Sequence, residues 1–260
     1  MWKEVLKKGL AVFILIILVP YIITVFVQGA SRERTKDNLR EEGVLRLARE
    51  TLESYEDEML RVQAIVVRTS IYKEQVDGEK VSSDAKEIKI SASWRRRLEA
   101  AWDDTEGLVL TYEDKPILAP FHRLSNGKTR SGEEVLGSAE YLYLQPVACP
   151  KDVVAEEQIG TTVLDVSGVK ILSKDDSGYV TEVQIGEETC TGEQFRDTYD
   201  ISSASFLTYA ADGQTRIVTR GIGHGLGVSQ YTANEMAKEG KTWEEILLYF
   251  FKDVKIQKTE

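Results

Sequence analysis

Cys149 and Cys190 are the only cysteines in 260 residues. They stand 41 positions apart, with no Cys-x-x-Cys spacing. At most one disulfide can form, which excludes a disulfide-dense secreted scaffold and leaves two thiols as the simpler state. Histidine is as scarce, with only His122 and His224. A zinc centre needs three or four nitrogen or sulfur ligands. His122 and the distant Cys149 do not make such a set, so no metal and no cofactor is expected. Excess positive charge is also missing, since 33 Lys and Arg face 43 Asp and Glu. Beyond the first thirty residues the balance is 30 basic to 42 acidic, a net of −12. Such a surface repels nucleic acid, and no basic stripe with interleaved aromatics offsets it. The chain lacks internal repeats, low-complexity tracts and the Gly-x-Ser-x-Gly elbow of many Ser/His/Asp hydrolases.

What is present begins with an apolar run. Lys3, Lys7 and Lys8 precede an uncharged stretch from Gly9 to Ala30 dominated by Leu, Ile, Val and Phe. About twenty such residues cross a hydrocarbon core of roughly 30 Å, and Pro20 is tolerable within such a helix. The lysines argue for a cytoplasmic N-terminus, against the weaker opposing signal of Arg32, Arg34 and Lys36. A cleaved signal peptide is the alternative. The length of the run, and the poor cleavage signal in Val27-Gln28-Gly29-Ala30, favour an uncleaved single-pass anchor in the cell membrane. The expected organisation is a cytoplasmic stub and transmembrane helix over 1–30, a charged juxtamembrane linker over 31–43, and an extracytoplasmic domain over 44–260.

That domain reads as mixed α+β. An amphipathic helix is expected over Val44–Glu53. A second, buried helix starts at Ser54, with Ser54 and Asp57 spaced as a capping box. Residues 73–90 read as a loop and Trp94–Glu106 as a helix. A hairpin follows from Gly107 to Phe121, turning at Glu113-Asp114-Lys115. Further on come a strand over Gly178–Ile185, a short capped helix over Thr191–Tyr199, and a hairpin turning at Asp212-Gly213. A helix over Ser229–Lys238 ends at Gly240. Thr242 with Glu245 caps a last helix through Phe251, and Val254–Ile256 reads as a final strand. Trp94, Trp102 and Trp243 sit at helical spacings and are expected in the core.

The most informative segment is Gly221-Ile222-Gly223-His224-Gly225-Leu226-Gly227-Val228-Ser229-Gln230-Tyr231. Glycine at alternate positions is costly unless the backbone needs positive φ or close approach. A strand leads in and a helix leads out, so the loop presents amides and one imidazole at a strand-to-helix turn. It is no dinucleotide fingerprint, because no register in it gives Gly-x-Gly-x-x-Gly. Nor does a Lys-Ser/Thr pair follow it as in a phosphate-cradling loop. Its plainer reading is a tight turn with a surface histidine.

This segment, continuing through Ala233, Met236-Ala237, Gly240 and Tyr249-Phe250-Phe251, resembles the SpoIID/LytB family. So does Glu58-Met59-Leu60-Arg61-Val62-Gln63-Ala64-Ile65-Val66-Val67-Arg68-Thr69, and so does Phe121-His122-Arg123-Leu124-Ser125-Asn126-Gly127-Lys128-Thr129. The resemblance implies a lytic transglycosylase acting on peptidoglycan glycan strands during sporulation engulfment, with Glu58 as catalytic acid. One carboxyl group suffices there, because the substrate's own C6 hydroxyl closes an anhydro ring, unlike two-carboxylate glycosidases. A helix N-terminus lowers a carboxyl pKa, whereas a general acid needs it raised by burial. The plain reading of Glu58 is thus a dipole-stabilising charge.

His122, Ser125, Asn126, Thr129, Gly223, His224, Gly225, Ser229 and Gln230 are the expected substrate contacts, with an ordinary polar turn as the alternative. Gln63 and Arg68 are supporting residues. Arg68 needs a carboxylate or carbonyl partner inside its apolar helix. Glu50 reads as a second site carboxylate or, in preference, a solvated charge. The resemblance also implies a partner amidase or endopeptidase that strips stem peptides, and a membrane-protein scaffold. The rival function is a wall-binding member of the same family that modulates an amidase without cutting.

Overall fold

The computed structural model describes residues 38–78 and 88–259. Helix α1 (residues 38–50) leads through a turn into α2 (Asp57–Val76) and then α3 (Ala92–Asp104). Strands β1 (Leu108–Tyr112), β2 (Lys115–Pro116) and β3 (Phe121–His122) follow, then a short α4 (Gly132–Leu136). Next come β4 (Ile159–Leu164), β5 (Val169–Lys174), β6 (Val180–Ile185), β7 (Glu188–Thr191) and α5 (Gly192–Thr198). The chain closes with β8 (Phe206–Ala211), β9 (Gln214–Arg220), β10 (Val228–Ser229), α6 (Gln230–Lys238), α7 (Trp243–Phe250) and β11 (Lys255–Lys258).

Two apolar cores organise these elements. The larger surrounds α2, whose Met59, Leu60, Val62, Ala64, Ile65 and Val66 are all wholly buried. Apolar residues on every side of a helix require neighbours on every side, and α3, α6, α7 and β1 supply them. Strand β1 is central in an antiparallel β11-β1-β2 sheet. The smaller core belongs to a β-rich lobe of two three-stranded antiparallel sheets, β4-β9-β8 and β5-β6-β7. Phe195 of α5 stacks on Phe206 of β8 there, with ring centroids 5.1 Å apart.

The mixed α+β class stands, but its membrane-spanning component is corrected. Among the described residues no helix is long and apolar enough to cross a membrane. The segment expected to span, within residues 1–30, lies outside the described residues. The cap of α2 also moves. Ser54 lies in a turn, and the N-cap is Glu56, with no side-chain cap of its own. Its backbone N–H instead donates to Asn234 Oδ1 of α6 at 2.8 Å, so a tertiary contact replaces the local box. By contrast, Thr191 with Gln194 and Thr242 with Glu245 form complete capping boxes. Strands β4 and β5 were not expected. Ile159, Val163 and Leu172 face solvent, which blurs the alternation that marks a half-buried strand. Cys149 is buried, Cys190 is half-buried, and both are free thiols.

Candidate functional site

All four loop glycines adopt the left-handed region, with φ of 80° at Gly221, 106° at Gly223, 79° at Gly225 and 68° at Gly227. Space is as decisive as φ. A Cβ on Gly225 would lie 2.5 Å from Tyr179 Cζ, and one on Gly227 would fall inside the Pro120 carbonyl. The loop is this tight because it is stitched to the 121–129 segment. Strand β10 pairs in parallel with β3, Val228 opposite Phe121 and Ser229 opposite His122. Leu124 and Ile222 form a further bridge. Two motifs a hundred residues apart are therefore one structural unit.

The histidines face each other across this unit, ring centroids 5.9 Å apart. Leu226 serves both. Its N–H donates to His224 Nδ1 at 3.0 Å, and its carbonyl lies 3.0 Å from His122 Nδ1. A carbonyl cannot donate, so His122 carries its proton on Nδ1. His122 Nε2 is left a buried lone pair with no partner among the described residues. Burial brings His122 down to about 4. Burial also brings His224 to about 4, aided by His122, Arg196 and Arg130. Both rings are neutral at neutral pH.

The polar residues expected to meet substrate are largely consumed in holding the unit together. The organiser is Asp152, wholly buried. Its Oδ2 accepts from Ser125 N–H at 2.7 Å, Ser125 Oγ at 2.5 Å and Ser229 Oγ at 2.7 Å, and its Oδ1 from Thr232 Oγ1 at 2.6 Å. Ser125 and Ser229 are thus interior ties. The Asn126 amide donates to Ser177 O at 2.8 Å and Ser205 Oγ at 3.0 Å. Thr129 Oγ1 accepts from Val147 N–H at 2.8 Å. Next to Thr129, the guanidinium of Arg130 pairs with buried Asp175 at 2.6 Å and with Glu193 at 2.6 Å, joining the two lobes.

A different carboxylate emerges beside Gln230. At the end of α1, Glu50 is half-buried, and Gln63 Nε2 approaches its Oε2 at 3.4 Å. Gln230 Nε2 donates to the Glu50 backbone carbonyl at 2.7 Å and to Gln63 Oε1 at 3.3 Å. The buried Tyr55 hydroxyl donates to Gln230 Oε1 at 3.4 Å. Burial raises the Glu50 carboxyl to about 6, against weaker lowering by Gln63, Arg46 and Arg49. Gln63 and Gln230, both expected, therefore converge on a glutamate that sequence reasoning set aside. The missed signal is placement, because only the fold brings α1, α2 and the start of α6 together.

Glu58 sits elsewhere. Its Oε1 accepts from Arg61 Nη1 at 2.6 Å, and Arg61 also pairs with Asp104 at 2.8 Å. Its Oε2 accepts from Trp243 N–H at 2.8 Å, capping the start of α7. Both carboxylate oxygens are thus engaged within the protein, by a guanidinium and by a helix N-terminus. Among the described residues no hydrogen bond or ion pair links it to His224. Arg68 finds carbonyl partners, donating to Thr105 O at 2.6 Å and Trp102 O at 2.7 Å while stacking 4.0 Å over the Trp102 ring. Burial lowers it to about 10.

No protein-family model matches the chain. It is 33% identical over 171 residues to "Stage II sporulation protein D" of Bacillus amyloliquefaciens, a match covering 60% of the chain and 49% of that protein. It is 29% identical over 251 residues to "Stage II sporulation protein D" of Bacillus subtilis (strain 168), covering 82% of the chain and 73% of that protein. A protein of Brachyspira hyodysenteriae, described as uncharacterized, is 27% identical over 229 residues, covering 76% of the chain and 61% of that protein. The match to the first of these relatives spans about half of its length.

Proposed function

The chain belongs to the family of stage II sporulation protein D, and from that premise we propose a cell-wall function in sporulation, with Glu50 as the acid of a lytic transglycosylase. The observation that carries this reading is a half-buried carboxyl group, raised by burial to about 6, with Gln63 Nε2 at 3.4 Å from its Oε2 and Gln230 Nε2 holding the backbone carbonyl of the same residue. Such a group is partly protonated near neutral pH and matched to general-acid work. Protonated Glu50 donates to the glycosidic oxygen as the bond to C1 breaks. The resulting carboxylate accepts the proton of the C6 hydroxyl as that oxygen bonds to C1. The anhydro product forms with no water consumed and no second carboxylate needed. The role first expected of Glu58 passes to Glu50, because Glu58 is occupied by Arg61 and Trp243 N–H.

The reading requires the domain to face the wall. Preference for strands without stem peptides implies an amidase or endopeptidase acting first. The test incubates the purified chain with peptide-free glycan strands and seeks anhydro-muramic ends by mass spectrometry. Glu50→Gln should abolish these ends while strands still bind, and Glu58→Gln should retain them. The reverse pattern would return the role to Glu58. Binding without product from the native chain would instead establish a wall-binding protein that does not cut.

A further inference from the structure

A second cleft, of about 470 Å3, opens where the 126–128 turn and Val153 face the β-rich lobe. Its charged lining consists of Lys128, Lys174 and Arg220 alone, with no Asp or Glu, in a chain of net charge −10. Two other clefts differ. One carries Asp57 among its arginines, and the other carries Asp103 and Glu106. Cations there are matched, Arg97 by Asp57, Arg61 by Asp104 and Arg40 by Asp103. In the second cleft, among the described residues, Lys174 Nζ reaches the Phe206 carbonyl, at 3.4 Å, and no carboxylate. Neither Lys128 nor Arg220 meets a carboxylate among the described residues.

The frame of this cleft is built. Asn126 spends both amide protons on Ser177 and Ser205 of the opposite lobe. A Cβ on Gly127 would lie 2.7 Å from Val153 Cγ2, so the turn sits close against that wall. Val153 and Leu207 expose apolar surface beside the cations. A concave site lined by one sign of charge focuses its field on a ligand of the other sign. A guanidinium flanked by ammonium groups suits oxyanions.

We propose that this cleft binds a ligand presenting two or more closely spaced negative charges, a phosphate or neighbouring carboxylates, on an apolar body that rests against Val153 and Leu207. The site is separate from Glu50 and does not depend on glycan cleavage.

Calorimetric titration of the full chain at low ionic strength tests it, with inorganic pyrophosphate in one arm and tricarballylate in the other. Saturable binding at one site is expected in at least one arm, weakening as salt rises, and the stronger arm identifies phosphate or carboxylate. Lys128→Gln with Arg220→Gln should weaken it at least tenfold. Both residues are exposed, and an unchanged thermal transition verifies the fold. Lys170→Gln with Lys252→Gln removes equal charge outside the cleft and should bind like the native chain, as should Glu50→Gln. Absence of saturable binding in both arms overturns the proposal. So does equal weakening by the two double variants.

Discussion

A carboxyl group raised from 4.5 to about 6 by burial leaves two traces, one in activity and one in stability. As an acid, Glu50 works while protonated, so strand cleavage should fall as pH rises through about 6. The stability sign follows from proton binding. The folded state holds this proton more tightly than the unfolded chain, so its contribution is full below about 4.5 and lost as pH rises to about 6. Above that, Glu50→Gln should be more stable than the native chain, by about 1–2 kcal/mol from 1.36 kcal/mol per pKa unit. Denaturant midpoints at pH 5 and 8 check this, and equal differences at both would refute it. The histidines act with the opposite sign. Both are depressed to about 4, so the unfolded chain takes up their protons first and stability should fall from about pH 6.5 towards 4. Replacing His122 with Phe should flatten that slope.

At the scale of elements, the glycine loop and β3–β10 pairing decide how close the motifs come. Gly227→Ala places a Cβ inside the Pro120 carbonyl at φ 68°. The expected cost is about 2–4 kcal/mol, summing backbone strain and overpacking. Gly240→Ala is the control. Its φ is 86°, but no heavy atom lies within 4 Å of an added Cβ, so only about 1 kcal/mol is expected. Urea unfolding of the two variants separates backbone strain from collision. Elements whose determinants are local were legible in the sequence. The helices capped by Thr191 and Thr242 carry both halves of their boxes, and the Asp212-Gly213 turn supplies the two positive φ values a tight hairpin needs. What was not legible depends on distant partners. Asn234 caps α2 from α6, solvent-facing apolar residues disguise β4 and β5, and Glu50 acquires its environment from Gln63 and Gln230. Glu58 carried the motif, yet its surroundings come from Arg61, three residues on, and from α7.

At the scale of the whole molecule, two cores are joined by buried polar links, among them the ion pair of Arg130 with Asp175. Arg130 is 3% exposed, pairs with the fully buried Asp175, and lies 4.8 Å over the Tyr179 ring. Removing one partner of a buried pair strands the other, at about 3–5 kcal/mol. Arg130→Met should therefore destabilise the β-rich lobe, to which Asp175 and Tyr179 belong, more than the helical lobe. The lobes can be told apart optically. Trp94, Trp102 and Trp243 lie in the larger core or against it, whereas no tryptophan occurs between residues 150 and 220. With Trp2, which lies outside the described residues, replaced by Phe, tryptophan fluorescence follows the helical lobe, while far-ultraviolet circular dichroism follows both. This Trp2→Phe chain should give coincident urea transitions by the two probes. In Arg130→Met the dichroism change should begin at lower urea than the fluorescence change. Adding Asp175→Asn should bring the transitions back towards each other, because the stranded charge is gone. Coincident transitions in the single variant would mean that the lobes unfold as one unit without this ion pair, held by the hydrogen bonds of Asn126 and Thr129 to Ser177 and Ser205.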